Sequence, residues 1–221
     1  MNGETNTRLH NVTIGGNFIG RDQIGVATPE KREITHAAAV AAKTAVFLSY
    51  CHQNGDEADR IDQHLQQLGV TVKRDIRDVS AWGSFRAFMD TIRNQDFAVL
   101  LISDAYLKSA NCMYEVLEIM KEQKYEHRIF PSVLEHGIYQ PLKRAAYISY
   151  WQDKYNELKE AMAGLDRTNS TKLAIDLKRY RHIADSMDEF LSLVADMNNP
   201  SMPDVCQHLE TMLKRKGLIT P

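Results

Sequence analysis

The sequence predicts an α/β protein with a flavodoxin-like, parallel five-stranded sheet and a helical C-terminal extension. Three short apolar runs, at residues 45–50, 70–73 and 97–102, are each followed by a helical pattern. This alternation is typical of βα units that feed a parallel sheet. Beyond residue 152 the pattern is helical only. We therefore expect helices on both faces of one sheet, followed by additional helices.

The first βα unit is the most regular. Residues 45–50 are predicted to form a fully buried strand, and residues 55–68 an amphipathic helix that ends at Gly69. The apolar face of this helix is formed by Ala58, Ile61, Leu65 and Leu68, and the opposite, polar face by Asp56, Asp59, Asp62 and Gln66. Residues 70–73 follow as the second strand, and residues 75–84 as a polar loop before a short helix.

The remaining elements are predicted by the same patterns. Residues 97–102 are the third strand, and one helix is expected over residues 105–124, capped by Ser103 and Asp104. Residues 129–134 and 146–150 are the expected fourth and fifth strands. Helices are expected over residues 154–162, 172–197 and 204–216. The predicted domain therefore covers residues 44–152, and the helical extension that packs on it covers residues 153–221.

The N-terminal segment, residues 1–43, is mostly polar and contains five of the eleven glycines. Ile14, Ile19 and Ile24 recur every five positions in it, which favours either a miniature repeat that pairs as strands with a partner or a tail with chance periodicity. Residues 34–43 favour a linker helix. The glycines at 15, 16 and 20 have no buried strand before them, so we expect no bound cofactor there.

Composition excludes several classes of protein. The net charge of −2 does not favour binding to nucleic acid or an anionic membrane. No apolar run approaches the roughly 20 residues that span a bilayer, and no secretory signal begins the chain. The three cysteines are widely spaced, without metal-ligand spacing, so we expect no metal site and a reducing, cytoplasmic location.

Three segments together resemble a Toll/interleukin-1 receptor (TIR) domain. Val46-Phe-Leu-Ser-Tyr50 is similar to the opening strand of that family, and residues 69–75 lead into a variable loop where the family has its BB loop. Tyr106-Leu-Lys-Ser-Ala-Asn-Cys112-Met-Tyr-Glu115 is similar to the family's Y-x-x-S-x-W-C-x-x-E stretch, and Ile148-Ser-Tyr-Trp151 to a late strand. The resemblance covers about residues 44–152. The family's tryptophan is Asn111 here, so an aromatic wall must come from Trp82, Phe85 or Trp151.

The resemblance implies an NAD⁺ nucleosidase of the prokaryotic type, in which NAD⁺ is the substrate. The family cleaves the bond between nicotinamide and ribose with the glutamate that matches Glu115. Nicotinamide leaves as a neutral molecule, so the site must chiefly stabilise an oxocarbenium-like ribose, as the carboxylates of glycosidases do. Without the resemblance, a helical glutamate off the apolar face would usually be a solvated surface residue.

Six further residues are candidates for substrate binding. Ser49, Tyr50 and Cys51 end the first strand, Asp75 ends the second, and Trp82 and Phe85 lie in and after the loop. Four of them have a plainer interpretation. Turn chemistry explains Asp75 about as well as substrate binding does, core packing explains Tyr50, and a buried, inert thiol explains Cys51. Phe85 is better explained by a core position than by stacking on a ligand. Trp82, in a polar loop, is the better stacking or interface candidate.

Two other functions stay open. The resemblance also implies self-association through TIR–TIR contacts, so the chain could be a non-catalytic adaptor that acts by homotypic association alone, and the N-terminal segment could bind a partner protein. An enzyme of this type would belong to an immune or anti-phage defence system. A phospho-accepting receiver domain has the same topology, but it requires an acidic pair at the first strand, where this chain has Ser49 and Tyr50.

Overall fold

A computed structural model describes residues 44–74, 95–166, 170–197 and 199–220. Its centre is a parallel sheet of four strands: β1 (Ala45–Tyr50), β2 (Thr71–Lys73), β3 (Phe97–Ile102) and β4 (Ile129–Val133). The strand order is β2-β1-β3-β4. In register, Ser49 pairs with Leu100 on β3, which pairs in turn with Pro131 on β4. The predicted parallel α/β architecture is confirmed, and these four strands lie where the sequence predicted them, within one residue at either end.

Six α-helices surround the sheet in the described residues. They are α1 (Gly55–Gln67), α2 (Asp104–Leu107), α3 (Ala110–Met120), α4 (Pro141–Met162), α5 (Thr171–Asp196) and α6 (Val205–Arg215). None of these helices combines the length and apolarity that crossing a bilayer requires.

The end of α1 shows how local sequence sets an element boundary. Gly69 has a positive φ of 79°, and its amide donates to the Gln66 carbonyl at 3.0 Å. The next amide, that of Val70, donates to the Leu65 carbonyl at 3.0 Å, which completes a Schellman motif. Leu65 and Val70 are both buried, so this turn directs the chain from the helix into β2.

Two apolar cores cover the two faces of the sheet. On one face, residues of β1 and β3 such as Phe47 and Leu100 pack against α3, α4 and α5. On the other face, Leu48 and Val99 pack against α1 and α6. Side chains alternate between faces along each strand, so two cores form on a single sheet whose inner strands are apolar except for Ser49.

One predicted helix and one predicted strand are wrong. The single helix expected over residues 105–124 is interrupted, because Ser109 caps a new helix by accepting a hydrogen bond from the Cys112 amide. The fifth strand expected at residues 146–150 lies inside α4. Tyr147 and Trp151 are the buried residues of that helix, and Ser149 between them is exposed, whereas a strand would place all three on the same face. Pro141 begins the helix, at the position where proline is favoured.

Candidate active site

The candidate site lies where the strand order of the sheet reverses. β1 is flanked by β2 on one side and by β3 on the other, so the two strands that follow β1 in the sequence lie on opposite sides of it. Open α/β sheets bind ligands beside the carboxyl ends of their strands at this switch point. Ser49 and Tyr50 end β1 there, and Ser103 directly follows β3.

The break between α2 and α3 determines which side chains return to this edge. Ser103 caps α2 by accepting a hydrogen bond from the Tyr106 amide at 3.1 Å, and its hydroxyl donates to Asn54 Oδ1 at 2.8 Å. Ser109 then starts α3. As a result, Tyr106 from α2 and Glu115 from α3 both reach the end of β1.

Ser49, Tyr106 and Glu115 form a buried polar cluster among apolar side chains. The hydroxyls of Ser49 and Tyr106 are hydrogen-bonded at 2.7 Å, and the Ser49 hydroxyl donates to Glu115 Oε2. Glu115 is 1% exposed, so its carboxylate lies within the fold and not on the surface. Since the serine has one proton and donates it to the carboxylate, the tyrosine must donate to the serine. The cluster is therefore a directed chain of hydrogen bonds that ends at the carboxylate.

Tyr50 takes part in a second cluster beside the first. Arg74, which follows β2, donates to the Tyr50 hydroxyl at 2.7 Å, and its guanidinium lies 4.6 Å from the centre of the tyrosine ring. Arg74 also donates to Asp59 at 2.6 Å and to Asp62 at 3.1 Å. Burial would lower the pKa of Arg74, but the hydrogen bonds with Asp59, Tyr50 and Asp62 raise it above its ordinary value. The tyrosine is thus held in place by a permanent cation.

The two cysteines at this edge are free thiols. The Cys112 thiol on α3 is buried and donates to the Tyr50 carbonyl at 3.5 Å. Cys51 is half-buried immediately after β1. Cys112 therefore ties α3 to β1 one turn before Glu115. Among the described residues, no group of three or more His, Cys, Asp or Glu side chains could hold a metal ion.

Comparison with known protein families identifies the domain that contains these two clusters. The family model of the TIR domain matches residues 46–165, more than half of the chain. The chain belongs to the TIR domain family. A search of curated proteins returned no match.

The TIR match begins in β1 and ends just after α4, so it contains every residue of both clusters. Three predicted substrate-binding residues of the TIR domain, Asp75, Trp82 and Phe85, lie outside the described residues. Trp151, a candidate for the missing aromatic wall, is 2% exposed in the core, where its Nε1 donates to the Leu107 carbonyl at 2.9 Å. It forms part of the scaffold behind α2.

Two residues of the site were not predicted as such. Tyr106 lies within the TIR-like stretch, but nothing in a local pattern links it with Ser49, 57 residues earlier. Arg74 directly precedes the candidate Asp75, and a single arginine after a short strand predicts nothing by itself. Asp62, expected on the polar face of α1, is buried because Arg74 reaches it. An arginine at a strand end, together with acidic residues on the polar face of the preceding helix, is the one signal that points to this cluster.

Proposed function

We propose that this TIR domain cleaves NAD⁺ at the bond between nicotinamide and ribose. The bond from the anomeric carbon to the pyridinium nitrogen breaks, and its electron pair neutralises the nicotinamide as it leaves. Water then adds to the anomeric carbon and loses a proton, which gives ADP-ribose. Attack by the adenine of the same molecule in place of water gives a cyclic product.

The observation that carries the proposal is the position of Glu115 at the switch point of the sheet. The carboxylate is oriented by the Ser49 hydroxyl within an apolar surrounding, where a negative charge interacts more strongly with a developing cation than it does in water. Glu115 is the proposed catalytic residue: it accepts hydrogen bonds from the ribose hydroxyls and stabilises the oxocarbenium-like ribose. Tyr106 and Ser49 act as positioning residues behind it.

Three of the proposed substrate-binding residues lie at the same edge of the sheet as this carboxylate. Ser49, Tyr50 and Cys51 belong to β1 and the residue after it. Asp75 immediately follows Arg74 in the sequence, and the Arg74 guanidinium donates to the Tyr50 hydroxyl at the end of β1. Asp75 would hold a ribose, while Trp82 and Phe85 would supply aromatic surface to the nucleotide.

Burial of Glu115 supports activation by assembly. A side chain that is 1% exposed and bonded to Ser49 offers a ribose no direct approach, so the protein must rearrange before it can bind NAD⁺. Self-association through TIR–TIR contacts supplies that rearrangement in our proposal. The chain would then be a cytoplasmic, self-assembling immune or anti-phage effector, with residues 1–43 and 153–221 as assembly or partner surfaces. The three free thiols support a reducing compartment.

The test is release of nicotinamide from NAD⁺, followed by chromatography over a range of protein concentrations. Glu115→Gln should lower the rate at least about a hundredfold, because it removes the negative charge and keeps the size of the side chain. Glu118→Gln is the matched control, since Glu118 is 2% exposed on the same helix and pairs with Lys121. Equal rates for Glu115→Gln and the wild type would show that Glu115 is not catalytic.

One observation favours a second function, that of an adaptor which only associates. The same burial that supports activation by assembly is also what a purely structural carboxylate, holding β1 to α3 through Ser49, would show. In that case no NAD⁺ is cleaved even by the assembled protein. A stoichiometric complex with another TIR protein, unaffected by Glu115→Gln, would then be the functional state.

A further inference from the structure

A groove of about 430 Å³ runs along the first half of β4, and none of the three residues of the Ser49–Glu115 cluster lines it. Its volume lies in the range of small-molecule sites. The groove is bounded by the turn before β4, by Met197, Asn199 and Pro200, and by α6. Its apolar floor is formed by Ile129, Phe130, Pro131, Val205, Leu209 and Met212.

The polar rim of the groove is mainly cationic. Arg215 and Lys216 line it at the end of α6, with His208 two turns earlier on the same helix and His127 on the other side. Glu126 is the one carboxylate among the described lining residues. Lys216 lies 5.1 Å from the centre of the Phe97 ring, and Arg215 has no ion-pair partner among the described residues. The neighbouring Lys214, which does not line the groove, is paired with Glu210 at 2.9 Å.

Asn199 supplies an acceptor that the described part of the chain leaves unused. Its Nδ2 donates to the Val194 carbonyl at 2.7 Å, which fixes the orientation of the amide. Its Oδ1 is buried and accepts no hydrogen bond from the residues that the structure describes. A buried acceptor of this kind requires an explanation, and a ligand with an N–H or O–H donor supplies one.

We propose that this groove binds a small organic anion with a planar aromatic body. The aromatic rings pack on the apolar floor, Arg215 and Lys216 bind the anionic group, and Asn199 accepts a hydrogen bond from a ring substituent. Arg215 recognises the negative charge of the ligand, since a guanidinium pairs with carboxylate, sulfonate or phosphate oxygens in a bidentate manner. This site is separate from the proposed NAD⁺ site and does not depend on it.

Anilinonaphthalene sulfonate (ANS) is a suitable probe, because it combines an aromatic body, one N–H donor and one anionic group. Its fluorescence rises when it leaves water, so saturable binding can be titrated directly on the full chain. Phenylnaphthylamine is the matched probe, with the same rings and N–H but no sulfonate. We expect one saturable ANS site per chain and weaker binding of the uncharged probe.

Two variants test the assignment. Arg215→Gln should weaken ANS binding about tenfold and leave phenylnaphthylamine binding unchanged, because only the charge-assisted bond is lost. Lys214→Gln, next to it but outside the groove, should change neither. Met212→Trp, at a half-buried position of the groove wall, should fill the groove and remove binding of both probes.

Three results would overturn the proposal. The first is an absence of saturable ANS binding to the wild type. The second is ANS affinity that is the same in the wild type and in Arg215→Gln, since the anion would then not be recognised there. The third is ANS binding that persists in a folded Met212→Trp variant, which would locate the dye elsewhere. Because Arg215 is exposed on the surface, its variant tests the charge even if Met212→Trp does not fold.

Discussion

Ser49 is a polar residue in a strand that is otherwise apolar in its buried part. Its side chain is 1% exposed. In the sequence of β1 it follows Phe47 and Leu48 and precedes Tyr50. A buried hydroxyl is tolerated when it is hydrogen-bonded, and Ser49 has both Tyr106 and Glu115 as partners. One serine thus connects the first strand with two later helices.

Replacing Ser49 with alanine should destabilise the protein by about 2 kcal/mol, because it leaves a buried carboxylate and a buried phenol without this partner. Ser132→Ala is the control. Ser132 is equally buried on β4, but within the described part of the chain its hydroxyl has only a weak contact, with Met202 Sδ at 3.6 Å, so a loss below about 1 kcal/mol is expected. Urea unfolding measures both. Equal losses of unfolding free energy in the two variants would mean that the hydrogen bonds of Ser49 with Tyr106 and Glu115 stabilise the protein no more than the contact of Ser132 does.

Arg74 is the second residue on which the edge of the sheet depends. It is 8% exposed and pairs with Asp62, which is 5% exposed, so two charges are buried together. Arg74→Met should lower the free energy of unfolding by about 3 kcal/mol, since it leaves Asp62 buried without its cation. Arg60→Met, on the exposed face of α1, should have little effect. Restoration of stability by adding Asp62→Leu to Arg74→Met would confirm that the cause is a buried carboxylate that has lost its cation.

At the scale of elements, α4 is attached to the fold by two aromatic side chains. The Tyr147 hydroxyl donates to Asp104 Oδ1 at 3.0 Å, and Trp151 Nε1 donates to the Leu107 carbonyl. Both bonds end on α2, the short helix that carries Tyr106. Arg144 also pairs with Asp188 on α5 at 3.2 Å, so the first half of α4 is held against both α2 and α5.

Beyond Trp151 the pair α4–α5 is weakly held. Among the described residues between 152 and 182 no apolar side chain is buried, whereas α5 becomes part of the core from Ile183 onwards. Amides before Ile183 in α5 should therefore exchange with deuterium at least about tenfold faster than those after it. Hydrogen-exchange mass spectrometry of the full chain measures the difference. Uniform protection along α5 would show that another surface covers this hairpin.

The docking of α5 on the turn before β4 should depend on alkaline pH. The Tyr125 hydroxyl donates to Glu189 at 3.0 Å; burial, this hydrogen bond and the nearby carboxylates raise the pKa of Tyr125 to about 12. A raised pKa means that the folded state favours the protonated phenol. Its contribution to stability is complete below pH 10.0 and is lost as the pH rises towards about 12.

Tyr125→Phe should remove this part of the pH dependence, because phenylalanine has no proton to lose. Urea unfolding of both proteins across that range is the measurement. The two stability curves should converge at the alkaline end, and parallel curves would assign the pH dependence to other groups.

At the scale of the whole molecule, the folding unit is longer than the TIR match. The match ends at residue 165, yet α5 and α6 each close one face of the sheet. α6 contributes Val205, Leu209 and Leu213 to the core that it shares with α1. The Thr44 hydroxyl also donates to the Leu218 carbonyl at 2.9 Å, which joins the start of β1 to the end of the described chain.

A chain truncated after residue 165 should therefore not fold, because both cores would be open to water. Leu213→Ala in the full chain is the milder version and should cost about 3 kcal/mol, as expected for a leucine that is 1% exposed. Circular dichroism and size-exclusion chromatography test the truncated chain. A compact, cooperatively unfolding fragment of residues 1–165 would contradict this view of the folding unit.

The sequence by itself determined the elements whose signal is local. β1 and β3 lie where their apolar runs predicted them, α1 ends at Gly69 as expected, and the helix that carries Glu115 follows β3. Each of these depends on residues a few positions apart, through side-chain periodicity or turn geometry. The order of the strands followed from the succession of βα units.

Only the tertiary structure decided which distant residues meet. The hydrogen bond from Ser49 to Glu115 joins residues 66 positions apart, and the burial of Asp62 requires Arg74, 12 positions away. Likewise, residues 146–150 form a helix because Tyr147 and Trp151 find their partners on α2. Such contacts are decided by packing in three dimensions, where a short apolar stretch fits helix or strand equally well until its neighbours are present.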